Sequence, residues 1–370
     1  MITRLSGAAL LTAAAVTACE GSTPSSSPGR PDAASGSPAA SATTAPPATS
    51  AEPALAFAVL APEYRGTVGQ GGAAVMRLYH DQSRVLGSYF LESAGTAVAL
   101  AGTASGMHLA LDESVDKVKT GSLAIDVAPD GKLTGTWTDA QGAKPSPLHL
   151  DPIVQAPHPT TALLFKRTLN ATTPVRDAKS KDEVCKAHLT YAEVFGLAPT
   201  VEAKLNLDLA PTPDLVLPDK CVHPTEVTGE YRVAHNADGI LSVRSTTTVT
   251  DPQAATPTHS GRVVNVLIPA GTPVKLFGDV VKPKAERTFE GALNQGVVAL
   301  TRKHNLDANG RKALDQALAF SPPFVLEERG VRLFADTLPA PYTTAGAEGV
   351  LVPYANLPKP HGATAVLWEK

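Results

Sequence analysis

The stretch Asn236-Ala237-Asp238-Gly239-Ile240-Leu241-Ser242-Val243-Arg244-Ser245-Thr246-Thr247-Thr248-Val249 decides the fold class of the larger part of this chain. Asn, Asp and Gly together are turn chemistry, because they tolerate or supply a left-handed backbone. The ten residues that follow are rich in β-branched side chains, which lose least freedom on a pleated surface. They read as one long strand. Gly229-Glu230-Tyr231-Arg232-Val233, before the turn, reads as another. Residues 263–268 make a third, ended by Pro269-Ala270-Gly271. Further on, 289–304 and 312–320 read as helices. Phe324-Val325-Leu326 and Gly330-Val331-Arg332-Leu333-Phe334 read as a hairpin, and Val350-Leu351-Val352-Pro353-Tyr354 as a last strand. Residues 156–370 therefore read as an α+β domain with an antiparallel sheet.

Upstream, 54–153 reads as all-β. Short apolar segments recur at strand spacing: 75–79, 85–90, 97–100, 107–111, 122–125 and 133–137. Turn residues separate them, among them Ser105-Gly106 and Pro129-Asp130-Gly131. Gly87 stands near Tyr89 and Gly135 near Trp137, as suits a tightly curved sheet. A small antiparallel barrel or meander is expected.

The N-terminus gives an address. Arg4, an apolar run over 8–16 and the small residues Val16-Thr17-Ala18 precede Cys19. This is the layout of a secretory signal. With cysteine at the cleavage point it resembles a bacterial lipoprotein signal, which implies removal of 1–18 and acylation (palmitate included) of Cys19. Glu20 in the next position resembles the outer-membrane sorting signal of enterobacteria. The expected location is extracytoplasmic, on a lipid anchor. That means the periplasmic face of an outer membrane, or the cell surface where there is only one membrane. Residues 19–53 are almost entirely Ser, Ala, Thr, Pro and Gly, and cannot bury enough apolar surface to order themselves. They read as a disordered tether.

Composition narrows the class. Net charge is −3, so no basic surface argues for nucleic acid. No apolar run after Cys19 reaches membrane-spanning length, so the only expected membrane link is lipid. The chain has three cysteines. With Cys19 acylated, Cys185 and Cys221 remain as a pair in an oxidising compartment and read as one disulfide. In the chain-entropy view a loop of about 37 residues stabilises by roughly 3–4 kcal/mol.

Two resemblances follow from motifs. Tyr64-Arg65-Gly66-Thr67-Val68-Gly69, Gly87-Ser88-Tyr89-Phe90, Leu100-Ala101-Gly102 and Gly135-Thr136-Trp137 resemble an uncharacterised bacterial envelope module. Downstream, Asp238-Gly239-Ile240-Leu241-Ser242-Val243, Leu276-Phe277-Gly278-Asp279-Val280, the 324–334 hairpin, Ala340-Pro341-Tyr342-Thr343-Thr344-Ala345-Gly346 and Val350-Leu351-Val352-Pro353-Tyr354 with Leu357 are similar to an extracytoplasmic domain family of unknown function. That family occurs in a lysozyme-binding anti-sigma factor and beside a peptidoglycan deacetylase. The resemblance implies an α+β binding or sensing module at the cell wall and no catalytic residue. Where the family carries Gly-Gly-Ala-His, this chain has His259-Ser260-Gly261-Arg262. Ser260-Gly261-Arg262 also resembles the Ser-Gly loop of periplasmic lysozyme inhibitors, whose guanidinium pairs with catalytic carboxylates. A polar turn between strands is the plainer reading of the same residues. Pro341-Tyr342 is the second candidate contact.

Catalytic and cofactor signatures are missing. The sequence has no G-x-S-x-G and no H-E-x-x-H. His188 and His223 lie near the two cysteines, the only hint of a metal set. Asn305-Leu306-Asp307-Ala308-Asn309-Gly310 is half a calcium loop. It lacks the leading Asp, and Gln316 stands where the bidentate Glu belongs, so it reads instead as a helix cap. Aromatic residues are 5% of the chain, too few for long-glycan stacking platforms. The expectation is a non-enzymatic, lipid-anchored envelope protein without cofactor, metal or nucleic-acid partner. Its partner would be a secreted or periplasmic peptidoglycan hydrolase, met as inhibitor, immunity protein or sensor. The alternative is a scaffolding lipoprotein of the wall with no hydrolase partner.

Overall fold

A computed structural model describes residues 59–70, 72–81, 84–142, 144–154, 159–211, 220–319, 322–360 and 362–369. Cys19, the expected signal segment over 1–18 and the expected tether over 19–53 lie outside the described residues.

The first layer is a closed antiparallel barrel of eight strands in up-and-down order. These are β1 (Glu63–Val68), β2 (Ala73–Asp81), β3 (Arg84–Leu91), β4 (Val98–Ser105), β5 (His108–Val115), β6 (Val118–Val127), β7 (Leu133–Asp139) and β8 (Ser146–Pro152). Closure comes from β1 pairing with β8, Gly66 opposite Leu150. Period-2 burial fills the interior: Leu109 and Leu111 from β5, Leu123 and Ile125 from β6, and Leu148 and Leu150 from β8 all point inward. So small a barrel demands close strand contact. A methyl on Gly87 would overlap the carbonyl oxygen of Arg77, and one on Gly135 that of Ala124. Of the two aromatic neighbours, Tyr89 and Trp137 both donate to the buried Glu113 carboxylate, at 2.6 and 2.8 Å.

The second layer is a six-stranded sheet in the order β14-β13-β12-β11-β10-β9. Its strands are β9 (Leu163–Pro174), β10 (Val184–Phe195), β11 (Glu226–Ala237), β12 (Ile240–Thr250), β13 (Thr258–Leu267) and β14 (Thr272–Pro273). The quoted stretch is the β11–β12 turn and β12 itself, with Asp238 and Gly239 both at positive φ. One expectation is corrected here. The sheet is not wholly antiparallel, because β10 and β11 run parallel, Lys186 beside Glu226. A parallel pair needs a crossover, and the connection from Gly196 to Thr225 supplies it with helix α1 (Pro199–Leu209). Leu205 and Leu209 of α1 bury against Leu241, Val243, Val264 and Val266 of the sheet.

The opposite face of the sheet carries a three-stranded sheet, β15 (Phe324–Leu326), β16 (Gly330–Leu333) and β17 (Val350–Pro353). Helices α2 (Glu286–Lys303), α3 (Ala308–Leu318) and α4 (Thr343–Glu348) share its core, in which Phe289, Val297, Leu300, Leu314 and Val352 are buried. A buried polar chain joins the two sheets. The Ser242 hydroxyl donates to Asn265 Oδ1 at 2.6 Å and accepts from the Leu326 amide at 2.9 Å. Asn265 Nδ2 donates to the Phe324 carbonyl at 2.7 Å. Trp368, which has no evident partner in the sequence, stacks on Tyr354 with ring centroids 4.3 Å apart.

Candidate functional site

Ser260, Gly261 and Arg262 lie inside β13, opposite Thr247, Thr246 and Ser245 of β12. The expectation of a projecting turn is thus corrected. A continuous ladder of ten pairs with β12 holds 258–267 extended. Side chains alternate across the sheet, so Ser260 and Arg262 face α1 while Gly261 faces the C-terminal lobe. Gly261 has no room for a side chain, because a methyl there would overlap Asp336 Oδ2. Asp336 pairs with Arg244, whose guanidinium also donates to the Ala347 carbonyl at 2.9 Å and lies 3.5 Å from the Phe334 ring centroid. Burial pushes the Asp336 carboxyl up against the pull of Arg244, and it lowers the Arg244 guanidinium.

Arg262 is turned to the end of α1. It donates to the carbonyls of Ala210 at 3.2 Å and Leu207 at 3.5 Å and lies 3.8 Å from Asp208. A cation at a helix C-terminus meets carbonyls that have no partner within the helix. Its side chain remains 46% exposed, so the guanidinium caps the helix without leaving solvent. With Ser260 it lines a groove of about 270 Å³, floored by Leu189, Val227 and Val249 and walled by Leu209.

The outer edge of β13 is the other feature of this region. The Asn265 carbonyl accepts from the Val274 amide, and the Leu267 carbonyl accepts from Gly271, both on the side away from β12. Backbone groups alternate along an antiparallel strand, so those of Val263, Gly261 and His259 point the same way. Among the described residues these three have no backbone partner on that side. A second groove, of about 310 Å³, runs beside residues 262–266. Lys204 and Asp208 of α1 border it on one side, and Pro273 and Phe324 on the other.

Pro341 and Tyr342 are placed elsewhere. The Tyr342 hydroxyl donates to Asp307 Oδ1 at 2.8 Å, and its ring packs on Gly310. Asp307 also accepts from the Gly310 amide at 2.7 Å and so caps α3, as the cap reading of 305–310 expects. These two donors hold the Asp307 carboxyl below the usual carboxylate range. Tyr342 thus joins two helix starts, while Pro341 is exposed. The structure does not bring this pair into the β13 grooves.

Cys185 and Cys221 form a disulfide, with Cα atoms 5.9 Å apart. Both are fully buried among Val175, Ala187, Leu189 and Val227, where the bridge ties the start of β10 to the chain entering β11. His188 and His223, near them in sequence, point to Asn170 and Asp251 instead. Among the described residues no cluster of His, Cys, Asp and Glu could hold a metal ion.

Sequence reasoning missed β1 and β8 of the barrel and β9, β10 and α1 beyond it, and with them a charged cluster where the barrel meets the sheet. β10 did carry a signal, with Cys185, Ala187, Leu189 and Tyr191 alternating against polar neighbours. β9 and α1 carried little, since their polar residues break both the period-2 and the helical pattern.

No family model matches the sequence, and no curated protein matches it. Among solved structures, the chain is similar to a crystal structure of a DUF3298 family member from Bacteroides fragilis NCTC 9343. Identity is 14%, the match covers 57% of this chain and 99% of that one, and the TM-score is 0.40. It is also similar to a DUF3298 family protein from Pseudomonas aeruginosa PAO1, at 14% identity over 56% of this chain and 96% of that one, with a TM-score of 0.38.

Proposed function

We propose that this chain is a non-enzymatic binding protein of the bacterial cell envelope. It is held outside the cytoplasmic membrane by lipid on Cys19, and it takes an extended segment of a protein partner along the outer edge of β13. One observation carries the reading. Among the described residues, His259, Gly261 and Val263 present unpaired backbone donors and acceptors in line with β14, which already occupies the same edge at Val266 and Leu267. An incoming strand would continue that ladder, with main-chain bonds giving affinity and the flanking grooves selecting side chains. In this reading Arg262 acts from the rim of the groove rather than as the tip of an inserted loop. A secreted or periplasmic peptidoglycan hydrolase is the first partner to test, on the strength of the motif resemblance.

The test uses the full chain with Cys19→Ser, which cannot take lipid. Capture of partners from envelope extract is compared with the same protein carrying His259→Pro. Proline removes the outward amide of an exposed residue, while an edge strand tolerates it because that amide faces solvent. Capture should fall by more than tenfold with the fold unchanged by circular dichroism. Capture at the unsubstituted level would sink the edge-pairing reading. Clearing of a cell-wall suspension by a panel of lysozymes, with and without the protein, tests the hydrolase part. Full clearing at micromolar protein across the panel would remove these enzymes as partners.

A further inference from the structure

Where the barrel meets the six-stranded sheet, three carboxylates surround one guanidinium. Arg77 of β2 donates through Nε to Glu63 of β1 at 3.1 Å, and through Nη2 to Glu202 of α1 at 2.6 Å. Its Nη1 donates to Glu193 of β10. Arg167 of β9 takes the other oxygen of Glu193 and reaches the Gly95 carbonyl at 3.0 Å. Aromatic faces close the cluster, with Arg77 3.7 Å from the Phe195 ring centroid and Arg167 4.2 Å from that of Phe90. Phe165 packs edge to face on both Phe90 and Phe195 beneath it, with centroids 6.2 and 5.2 Å away. Arg65 of β1 is nearby but spent on Glu92.

The charges do not balance. Glu63, Glu193 and Glu202 keep only 9%, 12% and 11% of their side-chain surface, and two guanidiniums face them. Every carboxylate ionised would leave one uncompensated negative charge out of water, which is costly. Glu63 and Glu202 both accept from the Arg77 guanidinium, which sets the two carboxyl groups side by side. Both are acceptors only when ionised, so a proton is what would let one donate to the other. Their remaining acceptor capacity is used by backbone amides, Gly196 donating to Glu63 at 2.9 Å and Leu197 to Glu202 at 3.4 Å.

We propose that Glu202 keeps a bound proton beside Glu63 at neutral pH, and that this proton is a structural ligand holding the barrel to the sheet. It neutralises the cluster and supplies the missing donor between β1 and α1. Burial is the main cause, with the Glu63 contact next, of a Glu202 carboxyl pushed up to about 8. The folded junction therefore keeps a proton that the unfolded chain releases above the ordinary carboxyl value of 4.5. The stabilisation is complete below that value, declines as pH rises, and is lost above the folded value. This site is independent of how β13 is used.

Glu202→Gln tests the idea, because an amide mimics the protonated acid, accepting from Arg77 and donating to Glu63. Thermal unfolding of the full chain is followed from pH 5 to 9.5. The variant should match the natural protein near pH 5 and exceed it by about 3 °C or more at pH 9. A constant offset across that range would overturn the proposal. Should the variant fail to fold, carbon-13 NMR of glutamate carboxyls in the natural protein decides. One carboxyl titrating near pH 8 is expected, and all of them titrating below about pH 6 would refute it.

Discussion

Gly261 of β13 lies directly against the carboxylate of Asp336, with no space for a methyl group between them. Asp336 Oδ2 is buried, and the other oxygen of the same carboxylate is held by Arg244, so the group cannot swing away without breaking that pair. Gly261→Ala should force Asp336 off Arg244 and leave a buried guanidinium short of its counter-ion. A cost of about 1–3 kcal/mol is expected. Urea unfolding measures it, and a midpoint within error of the natural protein would show that the lobe yields without strain.

Ser242 and Asn265 should act as one unit. Removing Ser242 leaves the Leu326 amide and Asn265 Oδ1 unmet in a buried site, and removing Asn265 leaves the Phe324 carbonyl unmet. Each alanine substitution should cost about 1–3 kcal/mol. The double variant should cost less than the sum, because the second deletion removes a group the first had already orphaned. Strict additivity in a double-mutant cycle would contradict a coupled network.

The buried disulfide should be a main support of this end of the sheet. Cys185→Ala with Cys221→Ala removes a cross-link over a sequence separation of 36. A loss of about 3–4 kcal/mol is expected from the chain-entropy relation. Two free thiols by mass spectrometry of the folded, non-reduced protein would rule the bridge out.

Cys19→Ser should abolish acyl labelling and move the protein from the membrane fraction to the soluble one. The expectation rests on the Val16-Thr17-Ala18-Cys19 pattern and on two or more acyl chains giving stable anchoring. Unchanged membrane retention would refute the lipid anchor.

Local chemistry in the sequence was enough for the parts of this fold that short-range physics dictates. Alternating apolar residues with turn signals marked six of the eight barrel strands, β2 to β7. The Asn-Ala-Asp-Gly turn and the β-branched run after it marked the β11–β12 hairpin. Asp307 announced the start of α3 because a capping side chain bonds only three residues ahead. The pairing of Cys185 with Cys221 followed from counting the cysteines left once Cys19 is set aside. What the tertiary structure alone decided is who stands opposite whom. Closure of β1 on β8, and the parallel step from β10 to β11 across α1, leave no local trace. Nor does a strand's sequence say that its outer edge is free, so Ser260-Gly261-Arg262 passed for a turn. Arg77 is the sharpest case. It meets Glu193 and Glu202 across 116 and 125 residues of chain. Alternation along β2 shows which way the Arg77 side chain points, but not which carboxylates the fold will bring to it.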